Sequence, residues 1–208
     1  CRDWSSDVCS SDLPDQTISE VLDLMHDHSI HRLPVIERDR LVGLVTEGVV
    51  AENSPSNATS LSMHEINYLL SKTKVKVIMI KKVFTISPEA LLEEAADVME
   101  TRDIGCLPVV GEDSVLLGII TRNDILKAFV ELLGYHQKGT RVVIEMKEDK
   151  PGVIMELAKV FTEKNINITH FAAHRNGVSE MVLRVDELDN NKVRRLLEDK
   201  GYKVVSVL

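Results

Sequence analysis

Apolar residues recur at i, i+3, i+4 and i+7 through Ile18, Val21, Leu22 and Met25. That stripe predicts a helix opened by Thr17 and reaching about Ser29. The period then shortens. Residues 33–36 form a short apolar run, Glu37-Arg38-Asp39-Arg40 a polar turn and residues 41–45 a second run, which together predict two strands joined by a tight turn. Thr46 stands where the second strand hands over to another helix. The same order returns downstream: a helix through Leu92, Ala95, Ala96 and Met99, strands at 106–110 and 116–120, and a helix over 121–133.

The likeness extends to single residues. Pro14, Met25, Ile30, Leu33, Pro34 and Val35 recur at one constant offset as Pro88, Met99, Ile104, Leu107, Pro108 and Val109. One residue then enters the second copy, and Gly43 and Thr46 recur as Gly118 and Thr121. Each α/β module is too small to bury a good core alone, so the two copies stack, and the cleft between them is a natural ligand site. The second copy opens on a predicted strand, 82–86, whose twin belongs just before Pro14. Residues 1–13 stand there instead, with no strand period, two of the three cysteines and the single tryptophan. They resemble a translated sequencing adapter and lack the apolar core of a secretory signal, so they are expected to be a non-native leader outside the fold.

Between the copies, residues 53–62 are rich in Ser, Asn and Thr and predict a loop. A bridging helix over 64–71 follows, carrying Ile66, Leu69 and Leu70 at helical spacing. After a short linker, 134–139, a different module begins. Val142, Ile144 and Met146 alternate as a half-buried strand, and Pro151-Gly152 opens a helix striped by Ile154, Leu157, Ala158 and Phe161. Asn165 is placed to end it in a left-handed conformation. Strands at 168–174 and 181–185, a helix over 190–200 stopped by Gly201 and a last strand at 202–207 complete a βαββαβ order. That order builds an antiparallel sheet with both helices on one face. The fold class is therefore α/β, assembled from α+β modules.

Charge and cysteine content narrow the function. With 33 acidic against 25 basic residues the net charge is −8, which disfavours non-specific attraction to nucleic acid or anionic lipid. No apolar run approaches the roughly 18 residues of a membrane helix. Outside the leader only Cys106 remains, which rules out a disulfide framework and suits a reducing, cytoplasmic setting. Cys106 lies in an apolar run and reads as a small buried hydrophobe. His26 and His28 are spaced so that they do not face each other on a helix, so no metal site is expected. His170 and His174 fall on one predicted strand and are expected to point to solvent or a partner. No nucleophile–base pair, metal cluster or Gly-rich phosphate loop points to an enzyme.

Two stretches carry a family resemblance. Ile30-His31-Arg32-Leu33-Pro34-Val35 with Gly43-Leu44-Val45-Thr46, and Ile104-Gly105-Cys106-Leu107-Pro108-Val109 with Gly118-Ile119-Ile120-Thr121-Arg122-Asn123-Asp124, resemble a tandem pair of cystathionine-β-synthase (CBS) domains. The tail, with Asp149-Lys150-Pro151-Gly152-Val153 and Asn165-Ile166-Asn167-Ile168, resembles a ferredoxin-like ACT domain. The order CBS–CBS–ACT is similar to the bacterial acetoin-utilisation (AcuB) family. The implied divisions are a first CBS domain at 14–54, lacking its first strand, a linker with the bridging helix at 55–74, a second CBS domain at 75–134 and an ACT domain at 140–208.

The resemblance implies an adenine nucleotide between the copies: AMP, ADP, ATP, S-adenosylmethionine or cyclic di-AMP, as a regulatory ligand with no required cofactor. The family motif Gly-x-x-Thr-x-x-Asp presents a hydroxyl and a ribose-binding carboxylate, matched by Thr121 and Asp124. The first copy has Thr46 but Val49 in place of the acid, so its ribose site is expected to be impaired. His31 and Arg32 resemble a phosphate-binding pair in the regulatory subunits of AMP-activated kinase, and Ile104 and Pro108 belong to the same expected site. The ACT resemblance implies dimerisation, and an effector such as an amino acid at Asp149, Gly152, Asn167 and Ile168. Asp149 departs from the amide often found there and would repel a carboxylate. A nucleotide-sensing regulator is the leading expectation. An oligomerisation module with vestigial sites, and a catalyst in acetoin metabolism, are the alternatives.

Overall fold

The computed structural model describes residues 14–54, 62–146, 150–176 and 178–208. The leader at 1–13, most of the 53–62 loop and Asp149 lie outside the described residues. The chain forms two compact units, one to Ile125 and one from Leu126.

In the first unit, helix α1 (Ile18–Asp27) begins where its sequence says it should. The Thr17 side chain accepts from the Glu20 backbone N–H, and the Glu20 carboxylate accepts from the Thr17 N–H at 2.7 Å, so two orphan donors are satisfied reciprocally. Ser29, in a left-handed conformation, turns the chain into a hairpin of β1 (Arg32–Glu37) and β2 (Arg40–Thr46). Arg38 and Asp39 both have positive φ, as a two-residue hairpin turn requires. Helices α2 (Glu47–Asn53), α3 (Met63–Lys72) and the single-turn α4 (Val75–Ile78) follow. Asn53 and Ser62, read as loop, belong to α2 and to a capping box on α3, because short polar side chains serve helix ends as well as loops.

The second copy supplies α5 (Leu92–Thr101), the hairpin β3 (Cys106–Val110) and β4 (Leu116–Thr121), and α6 (Arg122–Leu132), whose first turn lies in this unit. Matching positions build matching cores, around Ile18, Val21, Met25 and Leu33 in one copy and Ala95, Met99 and Leu107 in the other. The copies meet at their hairpin turns, where Arg40 bridges Val115 and the Leu116 N–H donates to the Asp39 carbonyl at 3.3 Å.

The predicted strand at 82–86 shrinks to one parallel bridge, Ile86 to Val109. The reason lies in the partner strand. Ile86 donates to the Pro108 carbonyl and accepts from Val110, both at 3.0 Å. The next bond of a parallel ladder would need an N–H on Pro108, which proline lacks.

Asp15 ties the start of the described chain to the opening of the second copy. Lys76 and Lys74 approach its carboxylate at 2.8 and 3.4 Å and hold its pKa below the ordinary value, the Lys76 hydrogen bond contributing most. The stability this adds is complete above the usual Asp range of about 3.9 and fades as pH falls through the lowered folded value. The melting temperatures of the wild type and Asp15→Asn should therefore differ at neutral pH and converge in acid. A difference that persists unchanged at low pH contradicts this.

The second unit carries a four-stranded antiparallel sheet, order β6-β7-β5-β8, of β5 (Thr140–Glu145), β6 (Ile168–Asn176), β7 (Val178–Val185) and β8 (Lys203–Val207). Helices α7 (Val153–Thr162) and α8 (Asn190–Glu198) bury Leu157, Phe161, Val193 and Leu197 against Ile144, Leu183 and Val185. This is the predicted βαββαβ order. Asn165 has φ 54°, and the Ile166 N–H returns to the Phe161 carbonyl at 3.0 Å, closing α7 as expected. The start of α7 is later than predicted: Gly152 is a left-handed N-cap, so Pro151 lies outside the first turn. His170 also differs from expectation. It is half-buried, and a Cβ on Gly134 would lie 2.4 Å from its Nδ1, so the ring rests against the preceding segment rather than in solvent.

Candidate functional site

Both copies line a cavity of about 360 Å³. The first gives His31, Arg32, Leu44, Thr46, Glu47 and Gly48, the crossover gives Ile80, Lys82, Val83 and Phe84, and the second gives Ile104, Gly105 and Cys106. Its geometry grows from the hairpin-to-helix junction of each copy. The Glu47 N–H donates to the His31 carbonyl at 3.1 Å, and the equivalent Arg122 N–H donates to the Gly105 carbonyl at 3.2 Å. These bonds tie each second helix back to the entry of its first strand, so residues 31–32 and 104–106 converge.

The cavity wall carries two fixed cations, Arg32 and Lys82, among mostly apolar side chains. His31, Arg32 and Lys82 line the cavity against one carboxylate, Glu47, whose Oε2 lies 2.9 Å from His31 Nδ1. Arg32 owes its place to an absent side chain: a Cβ on Gly105 would stand 2.5 Å from Arg32 Nη2. Cys106 is buried at the same wall, where desolvation raises its thiol pKa and the nearby Arg32 charge only partly opposes the rise. It is therefore a neutral thiol at neutral pH.

The two threonines of the repeat behave differently. Thr121 donates its N–H and hydroxyl to Asp124 Oδ2 at 2.8 and 2.6 Å, and the Asp124 N–H returns to Thr121 Oγ1 at 3.4 Å. The pair closes on itself as a helix cap, and neither residue lines the cavity. In the first copy Thr46 Oγ1 accepts from the Val49 N–H at 3.2 Å. Val49 offers no acceptor in return, so the Thr46 hydroxyl hydrogen is not drawn back into its own helix. The residue that disqualified the first copy as a ribose site leaves its threonine a donor at the cavity.

Of the expected nucleotide residues, the structure gathers His31, Arg32, Thr46 and Ile104 in this cavity. Thr121 and Asp124 are occupied with each other, and Pro108 is buried within β3 with its carbonyl bonded to Ile86. Of the expected effector residues in the second unit, Gly152 lines a separate cavity of about 790 Å³ with Met146, Ile154, Met155 and Phe171. Asn167 is exposed, and its backbone is engaged by Asp186, while Ile168 packs against the sheet core. Lys82, Phe84 and Glu47 were not foreseen. Lys82 and Phe84 lay in the segment read as a strand, where their side chains would have been sorted to the sheet faces.

Among the described residues no group of three or more His, Cys, Asp or Glu side chains is gathered to hold a metal, and no helix is long and apolar enough to cross a membrane.

Comparison with known proteins agrees with this architecture. The CBS domain family matches residues 13–53 and 75–131, and the ACT domain family matches 140–201. Protein MJ1225 of Methanocaldococcus jannaschii is 33% identical over 117 residues, covering 56% of this chain and 42% of its own length. Its crystal structure, described as an archaeal homolog of g-AMPK, superposes with a TM-score of 0.50 at 32% identity. Protein MJ1426 of the same organism is 30% identical over 139 residues, covering 56% of this chain and 83% of its own length. A Vibrio cholerae structure described as an acetoin utilization protein (AcuB) is 28% identical, with a TM-score of 0.49 over 61% of this chain and 87% of its own. The chain spans less than half of MJ1225 and 20% of the M. jannaschii inosine-5'-monophosphate dehydrogenase, with which it is 34% identical over 116 residues. Two internally matched modules, the cavity they share and the βαββαβ unit after them place this chain among the CBS-domain proteins, as a tandem CBS pair followed by an ACT domain.

Proposed function

We propose that the chain is a non-enzymatic regulatory protein whose CBS pair binds an adenine nucleotide in the cavity between the copies. Arg32 and His31 meet the phosphates, Arg32 through its two-pronged guanidinium, and the Thr46 hydroxyl donates a further hydrogen bond. The observation that carries this reading is the seating of Arg32 over the bare backbone of Gly105, which places its cation in a cavity that Lys82 also lines. The relation to MJ1225, described as an archaeal homolog of g-AMPK, supports the same ligand class. The ligand is AMP, ADP, ATP, S-adenosylmethionine or cyclic di-AMP. The ACT domain carries dimerisation, and its apolar cavity beside Gly152 takes a small effector such as an amino acid.

A second reading, an oligomerisation module with vestigial nucleotide sites, is favoured by one observation. The Thr121–Asp124 pair bonds to itself through Asp124 Oδ2, and neither residue lines the cavity.

A thermal-shift panel of the five compounds separates the two. A ligand that binds only the folded state stabilises it by about 2.7 kcal/mol at roughly 100 times its Kd. The wild type should shift with at least one compound and Arg32→Ala should not. Asp124→Ala, which removes a cap, should melt earlier yet keep its ligand-induced shift. No shift with any compound would leave the oligomerisation module standing.

A further inference from the structure

Phe84 brings an aromatic ring to the cavity lining, and 48% of it is exposed. Exposure alone means little, since single apolar side chains are common on protein surfaces. The way the ring is held means more. Two residues on, Ile86 is pinned to β3 by its bonds to Pro108 and Val110. The Arg102 guanidinium, at the C-terminal cap of α5, lies over the ring with its carbon 5.1 Å from the centroid, within cation–π range. Arg102 is not part of the cavity lining, and its charge holds the ring at the cavity wall. An aromatic ring held by a cation therefore lines, with the aliphatic Leu44, Ile80, Val83 and Ile104, a space whose walls also carry His31, Arg32 and Lys82. Cations hold phosphates but cannot tell a nucleotide from pyrophosphate. A flat aromatic surface can, because every base has a π face to stack on it.

We infer that Phe84, braced by Arg102, is the stacking platform for the base of the bound nucleotide, and is the residue that makes the cavity choose a nucleotide over a bare phosphate compound. The inference rests on the adenine-nucleotide reading of the cavity and adds its base-selecting wall. Phe84 touches the ligand, and Arg102 is a positioning residue that acts through the ring.

Calorimetric titration with ADP and with inorganic pyrophosphate, the same phosphate chain with and without adenosine, tests it. Phe84→Leu should weaken ADP about tenfold or more, the loss expected for one stacked base, and leave pyrophosphate unchanged. Arg102→Gln should weaken ADP by a smaller factor, about threefold, again without touching pyrophosphate, and Arg102→Lys should recover most of it. Both positions are exposed, so the variants should melt with the wild type, and Phe84→Trp gives a second readout, an added emission quenched by ADP and not by pyrophosphate. Equal weakening of ADP and pyrophosphate in Phe84→Leu, or none in either, overturns the inference while leaving the nucleotide site intact. A wild-type chain that binds no adenine nucleotide removes the site itself, and the platform with it.

Discussion

A Gly105→Leu chain should fold normally and lose nucleotide affinity by about ten- to a hundredfold, the range set by one charge-assisted hydrogen-bond donor. The leucine fits its backbone, since Gly105 has no positive φ, but its Cβ would occupy space now held by the Arg32 guanidinium, 2.5 Å from Nη2. The arginine must swing out, and its charge leaves the cavity wall. Arg32→Ala removes the same charge directly. If the two substitutions act through one interaction, the double variant should be no weaker than the worse single one. Titration calorimetry on the four proteins closes the cycle. Additive losses would mean that Gly105 matters for some reason other than Arg32, and an unchanged affinity in Gly105→Leu would remove Arg32 from the site.

Gly105 also shows what one sequence can and cannot convey. The repeat aligns it with His31, which invites reading it as a lost phosphate donor. Only in three dimensions is it room made for the arginine of the other copy. What was legible depended on local chemistry. The apolar periods of α1 and α5, the Thr17–Glu20 and Asn165 helix ends, the hairpins and the βαββαβ order all follow from neighbours in sequence, and all are present. What was not legible depended on partners far along the chain. The strand at 82–86 failed because the missing N–H belongs to Pro108, on another element. Thr-x-x-Asp spacing serves a ribose site and a helix cap equally well, and nothing in the spacing of Thr121 and Asp124 reveals that the carboxylate turns inward onto the hydroxyl. Val49, by contrast, reads as a defect until the open Thr46 hydroxyl is seen beside it.

The linker before the ACT domain is the other place where a glycine hides a large effect. Gly139→Ala should destabilise the second unit by about 3 kcal/mol or more, from left-handed strain and steric overlap together. Gly139 has φ 137°, and a Cβ there would lie 2.1 Å from the Val185 carbonyl oxygen. That oxygen is backbone, at the end of a strand whose Val185 is fully buried, and it cannot step aside. The far side is fixed as well: fully buried Thr140 donates its hydroxyl to the Glu187 carbonyl at 2.7 Å and lies 2.8 Å from Asn190 Oδ1. Gly201 is the internal comparison. It too is left-handed, at φ 82°, but nothing lies within 4 Å of its Cβ position, so Gly201→Ala should cost only the conformational strain, about 1 kcal/mol. Hydrogen exchange gives the local readout. The amides of β5 and β7 should lose protection steeply in Gly139→Ala and slightly in Gly201→Ala, while those of α1 and β1 keep theirs. If Gly201→Ala proved the more damaging of the two, the clash with Val185 would not be what holds alanine out of position 139.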